Sequence, residues 1–342
     1  MFGTIVVVDG EEPTNGGVPP GHSLSSTKQL TRGVPLSCIE VLGQTILKVL
    51  TGDLQRAGAN PISLVIESSA VEMAEREVDR NGEIRVTRAE DVWYEAALKA
   101  VEYQKAGVTT TLLMSLNAYF ELDLSDILQS HGEMRGRTMR GFDSEGPLNL
   151  WCIASGFATP ARVLAELRME QVAAYEIRGY VNRLNDPGCL RRLAIDVFHS
   201  RCRLRPNGRE VQPGVWIANG AEVDQRASLQ GPVFIGCHTK VAEQCLIEQC
   251  SNVERDCEVD FGTTVSDSYV MSNSYVGMGL DMSHSIVSGS NVMNLEHGVM
   301  LKVSDPSVLR EHKVPSTLRN RMDPRRPRVD GMLFSPAEEN AG

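Results

Sequence analysis

The stretch IANGAEVDQRASLQGPVFIGCHTKVAEQCLIEQCSNVERDCEVDFGTTV, residues 217–265, decides the fold. Aliphatic residues recur in it at every sixth position: Ile217, Val223, Leu229, Ile235, Val241, Ile247, Val253, Val259 and Val265. Four residues after each of the first eight stands a small or modest side chain: Ala221, Ala227, Val233, Thr239, Cys245, Ser251, Cys257 and Thr263. Helices repeat near 3.6 residues and strands alternate at 2, so neither alone produces a strict six. A period of six predicts a parallel β-helix whose short strands turn a corner at each hexapeptide, with aliphatic side chains stacked inside and small ones at the corners. Such coils bury their core only by stacking. Nine unbroken matches set the run apart from chance apolar spacing in an ordinary all-β domain. Beyond Val265 the rhythm slips: Val270 and Val276 restart it one residue early, and Met282 follows. The extra glycines within 275–281 point to an adjusted corner or a bulge, and Leu295 to Val303 reads as a closing strand or cap over the stack.

The remainder of the chain bounds the answer. A length of 342 residues predicts two domains. The composition, 42% hydrophobic and 23% charged, is that of a soluble globular protein. A net charge of −10 argues against a general nucleic-acid surface. The early apolar run Ile5 to Val8 is too short for a signal-sequence core or a membrane span, so no membrane role and a cytoplasmic location are expected. Eight cysteines in a chain this long need not form a disulfide framework. Cys237, Cys245, Cys250 and Cys257 contain no CxxC pair, which disfavours zinc. Cys245 and Cys257 fall on the small-residue corner, where packing explains them.

Ahead of the repeat, strands alternate with helices. Phe2 to Val8 reads as a strand ending at Asp9-Gly10. Residues 11–33 are rich in Gly, Pro, Ser and Thr and read as a loop. Ile39 to Leu42 is followed by a helical pattern through Ile46, Val49, Leu50 and Leu54 that Gly58 closes. Strands are predicted at Ile62 to Ile66, Thr109 to Leu116 and Leu150 to Ser155, and helices at Glu90 to Lys105, Leu124 to His131 and Pro160 to Arg178. This alternation means an α/β domain with a mainly parallel sheet, whose ligands would sit beyond the strand C-termini, at the Asp9 to Val34 loop. The predicted division is an α/β domain over 1–205, the β-helix over 211–305 and a polar tail over 306–342. In that tail Arg319, Arg321, Arg325, Arg326 and Arg328 form a basic cluster, read as a solvated, flexible segment.

An α/β domain followed by a hexapeptide β-helix resembles the sugar-1-phosphate nucleotidyltransferases, especially the mannose-1-phosphate guanylyltransferase and glucose-1-phosphate nucleotidyltransferase branch. Val34-Pro35-Leu36 through Leu47 is similar to their "KPLLPVLGKPIL" segment, and Ala57-Gly58-Ala59-Asn60-Pro61-Ile62 to their "AGxxxI" turn. Leu116-Asn117 to Leu124 resembles "LNGDxxxDxDL", Gly179-Tyr180 to Pro187 resembles "GYWxDIGTP", and Gln230 to Gly236 resembles "EGPVxIG". The resemblance implies a Rossmann-like nucleotidyltransferase domain followed by a left-handed β-helix. The implied activity is transfer of a nucleotidyl group from a nucleoside triphosphate to a sugar 1-phosphate, with release of pyrophosphate. It implies Mg²⁺ held by two aspartates, a glycine-rich loop on the phosphates and a lysine before the proline of "KP".

The residues that carry this chemistry are missing from their places. Where the family has "AGGxGTRL", this chain has Asp9-Gly10-Glu11-Glu12-Pro13-Thr14-Asn15-Gly16-Gly17, whose acidic residues would repel a triphosphate. The "KP" lysine matches Val34, the aspartate of "LNGD" matches Tyr119, and that of "GYWxD" matches Arg183. The small "GTA" segment that lets a base approach is replaced by Trp93 and Tyr94, and the sugar-binding "NAG" survives only as Asn149, followed by Leu150 and Trp151. The leading reading is a catalytically degenerate, pseudoenzyme-like member with a binding, regulatory or scaffold role, with no catalytic residues, metal site or cofactor expected. Its expected partners are a nucleotide sugar or sugar phosphate, and a second copy or an active paralogue. Candidate substrate-binding residues are Asp9, Gly10, Lys28, Arg32, Asn149 and Arg183. Arg183 would either take the metal's place and bind an anion directly or pair with a local carboxylate. One alternative is a working Mg²⁺-dependent enzyme with shifted ligands drawn from Asp9, Glu121, Asp123, Asp143 and Asp186, helped by Lys28 or Arg32. Another is a hexapeptide acyltransferase using His238 or His284 as base.

Overall fold

In the computed structural model, residues 2–8, 29–67, 84–134, 137–169 and 172–312 are described. The first half of the chain contributes β1 (Phe2–Val8), β2 (Glu40–Val41), β3 (Gln44–Thr45), α1 (Ile46–Arg56), β4 (Ile62–Glu67), β5 (Ile84–Ala89), α2 (Val92–Lys105), β6 (Thr110–Ser115), β7 (Ala118–Phe120) and α3 (Leu124–Glu133). Then come β8 (Met139–Asp143), β9 (Gly146–Ala154), α4 (Pro160–Leu167), β10 (Ala173–Glu176), β11 (Val181–Arg183) and α5 (Pro187–Phe198). Seven strands form one sheet in the order β10-β8-β9-β6-β1-β4-β5. All pairings in it are parallel except those of β9 with β6 and β8. The mainly parallel sheet predicted from alternating strands and helices is therefore present.

Local chemistry explains the helix boundaries. Thr45, Asp91, Asp123 and Asp186 accept from backbone N–H groups of the first turns of α1, α2, α3 and α5, a bond each helix needs for its unpaired N-terminal amides. The helix expected over Pro160 to Arg178 stops at Leu167. Its buried stripe, Val163 and Leu167, ends there, and residues 173–176 instead pair in parallel with β8 as an edge strand. Tertiary pairing overrides a helical pattern that has run out of buried positions. Two cores line the sheet: one face packs on α2 and α4 through Ile5, Val7, Trp93, Leu113, Trp151 and Val163. The other packs on α1, α5 and part of the repeat domain.

From Val215 the chain winds through short strands that fall in rotation into three sheets. Within each sheet successive strands run parallel, and the pairing Val215↔Val233, Glu222↔Lys240 and Ser228↔Leu246 advances three hexapeptides per coil, as in a β-helix. Ile235, Ile247, Val253, Val259 and Val265 are fully buried in its stack. From Thr239 to Thr263 the residue before each small corner residue takes a left-handed conformation: His238 (φ 56), Gln244 (φ 59), Cys250 (φ 62), Asp256 (φ 54) and Gly262 (φ 68). The slip after Val265 is a shortened corner. The left-handed residue there is Asp267, one position early, and the coil pairs Asn252 with Tyr269. The same shortening recurs at His284.

The stack is closed by an antiparallel hairpin, Asn291–Asn294 with Val299–Lys302. Leu309–Glu311 then pairs antiparallel with Ser274–Val276. The closing strand expected within Leu295 to Val303 thus has a partner before it, and regular structure continues past the expected boundary at 305. The basic cluster of the tail lies outside the described residues. All eight cysteines are unbridged. No helix among the described residues is long and apolar enough to cross a membrane.

Candidate functional site

The strand order reverses between β1 and β6: β4 and β5 lie to one side, and β6, β9, β8 and β10 to the other. In open α/β sheets the ligand crevice opens at the C-terminal ends of the strands flanking such a reversal. Here those ends are Val8 and Ser115. Asp9, Gly10 and Lys28, three of the candidate binding residues, lie outside the described residues, as does most of the loop expected at the mouth.

The two positions that the resemblance assigns to metal carboxylates lie side by side. β7 and β11 form an antiparallel ribbon with Tyr119 opposite Asn182 and Ala118 opposite Arg183. Their side chains nevertheless go to different partners. Tyr119 is buried, packs at 5.9 Å against the ring of Tyr180 and donates to Glu121 Oε1 at 3.1 Å. Burial, then the nearby Glu121 charge, holds its phenol far above the usual range, so it stays protonated. Arg183 reaches the β8–β9 turn, where Nε and Nη2 bond Asp143 at 3.0 and 2.6 Å and Nη2 also bonds the Gly146 carbonyl at 2.8 Å. The Arg183 bond holds the Asp143 carboxyl below its usual range. Arg183 therefore makes the local carboxylate pair that was the plainer of its two readings.

The other candidates are dispersed. Arg32 faces the repeat domain, donating to the Ser272 carbonyl at 3.1 Å and pairing with Glu311 at 3.2 Å. Val34, where the resemblance expects a lysine, packs on the core. Asn149 lies within β9 and is buried; its Oδ1 accepts from Arg140 at 3.4 Å. Of the carboxylates proposed as shifted ligands, the four within the described residues all have structural bonds. Asp123 and Asp186 cap helices, Asp143 holds Arg183, and Glu121 accepts from Tyr119 and from the Arg203 amide. Among the described residues, no group of three His, Cys, Asp or Glu side chains is placed to hold a metal. A tyrosine held protonated and an arginine are not a donor set for Mg²⁺.

Trp93 and Trp151 bring the sequence reading and the structure together. Each stands in a segment where the resemblance expects small residues that make room for base and sugar. Both are buried, and their rings meet edge to face with centroids 5.6 Å apart. Arg140 lies over Trp151, its guanidinium carbon 5.0 Å from the ring centroid.

His238 and His284, the candidate acyl-transfer bases, both occupy left-handed corners and face carboxylates of neighbouring coils: Asp256 at 3.5 Å and Asp267 at 2.6 Å. Asp267 is also bound by the buried Arg191 of α5, so this His–Asp contact belongs to a domain-joining network.

The sequence reading missed the seam between the domains. Outward positions on one face of the β-helix are apolar: Trp216, Phe234, Tyr269 and Ile286 pack into the core of the α/β domain. The signal was in the sequence, since every third hexapeptide carries an apolar residue just before its inward aliphatic, with Asn252 the exception. At the centre of the seam Glu254 is fully buried and accepts from the backbone amides of Leu42 and Gly43 at 2.8 and 2.9 Å, and from Asn252 at 2.7 Å. Leu42 (φ 53) and Gly43 (φ 78) form the tight turn between β2 and β3, which needs positive φ at both central residues. A Cβ on Gly43 would come within 2.9 Å of Phe234 Cζ.

No protein-family model matches this chain, and no match was found among the curated proteins.

Proposed function

We propose that the protein is a catalytically degenerate relative of the sugar-1-phosphate nucleotidyltransferases, with a binding, regulatory or scaffold role in nucleotide-sugar metabolism. The observation that carries this reading is the contact between Trp93 and Trp151, buried at two positions where the resemblance calls for space. Three further observations support it. Tyr119 and Arg183 stand where carboxylates would hold Mg²⁺. The nearby acids Glu121, Asp123, Asp143 and Asp186 are engaged in caps and ion pairs. The strand order reverses between β1 and β6, and ligands of open α/β sheets bind beyond the strand ends at such a reversal. The proposed partners are a nucleotide sugar or sugar phosphate, and a second copy of the chain or an active paralogue.

The test is pyrophosphate release from the common nucleoside triphosphates against a panel of sugar 1-phosphates, with and without Mg²⁺. Protein verified as folded is expected to be silent across the panel. Turnover that requires the metal would overturn the proposal and favour a working enzyme with shifted ligands, sought first around Asp123 and Asp186.

A further inference from the structure

The closing hairpin ends one sheet of the β-helix with an edge strand, Val299–Lys302. It pairs antiparallel with Asn291–Asn294, and that strand in turn with Ser285–Ser288. Directly paired residues share a sheet face, so Val287, Val292 and Leu301 form one row. The row begins inside the coil and runs out of cover: Val287 is 0% exposed, Val292 8% and Leu301 56%. Val299, two residues before Leu301 and on the same face, is 46% exposed. Isolated exposed aliphatics are ordinary. These two instead continue the apolar interior of the β-helix onto an open edge.

The backbone of that edge is open as well. The Leu295 amide donates to the His284 carbonyl and the Val303 amide to that of Ser290, both at 2.8 Å. The N–H and C=O of one residue point to the same side of a strand, and the sides alternate along it. Val299, Leu301 and Val303 therefore bond inward, while Met300 and Lys302 turn their N–H and C=O groups to the free edge. Neither a proline nor a register shift interrupts the strand, and a regular unpaired edge is a template for a further strand.

The strand is complementary to itself. Two copies of Val299–Lys302 laid antiparallel about Met300 would exchange the outward bonds of Met300. They would also set Val299 of each copy against Leu301 of the other on the apolar face. In this register Lys302 of each copy falls opposite Gly298 of the other, beside the turn that carries Glu296. Among the described residues, neither Lys302 nor Glu296 has an ion pair within its own copy.

We infer that Val299–Lys302 is the surface on which a second copy of this chain docks, joining two β-helix sheets edge to edge in a two-fold dimer. A two-fold contact must match a patch with itself, and this strand does so in its apolar row, its backbone bonds and its charges. The edge supplies the second-copy partner of the reading above and rests on that part of it alone; pyrophosphate release is blind to it, so the two fail separately.

Sedimentation velocity of the full chain over a concentration series at low ionic strength should show a reversible monomer–dimer equilibrium. Lys302→Pro keeps the inward bonds and removes one outward N–H, a change that an edge strand accommodates. Leu301→Lys places a charge on the apolar row. Each should raise the dissociation constant about tenfold or more, with the circular dichroism spectrum unchanged. Lys302→Glu and Glu296→Lys should each weaken the dimer, and the double reversal should restore it, a rescue that damage to the fold could not give. A chain that stays monomeric throughout the series would overturn the inference. A dimer indifferent to Lys302→Pro and to both reversals would overturn it too, and would place the second copy on another surface.

Discussion

Glu254 shows how much one residue can decide. It is the acid at which the two domains meet, fully buried, with its carboxyl bonded by two backbone amides and one side-chain amide. Glu40 lies beside it, bonded to Arg255 at 3.2 Å and to the Ser272 hydroxyl at 2.7 Å, and its carbonyl accepts from Tyr269. Burial first, then the Glu40 charge, pushes the Glu254 carboxyl up from 4.5 to about 8, against the pull of its donors. A carboxyl whose pKa is raised on folding binds its proton more tightly in the folded state. Its contribution is therefore neutral below the unfolded value, and stability falls as pH rises from about 4.5 towards about 8. Glu254→Gln should flatten this part of the profile. Urea midpoints measured for both proteins between pH 5 and pH 8 would check it; parallel profiles would mean that the carboxyl stays ionised throughout. Gly43 stands opposite and is held to glycine twice over, by its φ of 78 and by Phe234.

At the scale of the element, the repeat is stabilised by its corners as well as its aliphatic stack. Thr239 Oγ1 donates to the Glu254 carbonyl at 2.5 Å and accepts from the Cys257 amide at 3.2 Å. Ser251 makes the equivalent pair of bonds to the Val265 carbonyl and from the Ser268 amide. Thr263 does so with the Gly277 carbonyl and the Leu280 amide. Small side chains are needed at these positions for space. Hydroxyls among them also satisfy backbone groups that the turn leaves unpaired. Thr239→Val keeps the volume and removes both bonds, leaving a buried carbonyl and amide unmet. The expected loss is about 1–3 kcal/mol in chemical denaturation, whereas a change within 0.5 kcal/mol would assign the corner to packing alone.

At the scale of the whole molecule, the residues up to His312 make one compact unit, because one face of the β-helix lends its outward side chains to the core of the α/β domain. Phe198 of α5 stacks on Trp216 with centroids 5.6 Å apart. Arg191 of the same helix, almost fully buried, bonds the carbonyls of Gln249 and Cys250 and the Asp267 carboxylate. Calorimetry of the full chain should give a single transition. Phe234→Ala, which empties the centre of this face, should cost about 3–5 kcal/mol and split the transition in two. Two transitions already present in the wild type would mean that the seam contributes little.

How much of this was legible in the residues differs between the two halves. The hexapeptide register of Ile217 to Val265 determined the β-helix by itself, since only a coil that turns every six residues buries that set of positions. The alternation of apolar runs with helical stripes likewise determined the α/β class. The slip after Val265 was visible as a break, but its cause, a corner shortened at Asp267, needed the backbone. The edge strand over 173–176 was hidden because its state depends on β8, which is distant in sequence. The resemblance, read along the sequence, expects other residues at Val34, Tyr119 and Arg183. Only the tertiary structure decided that Arg183 is held by Asp143, that Trp93 meets Trp151, and that Ser115, Asn149 and Trp151 carry buried polar atoms without a hydrogen-bond partner among the described residues. The physical reason is one of range. Periodicity is set by neighbours along the chain, while partners of a buried polar group are set by pairing between strands that the sequence keeps far apart.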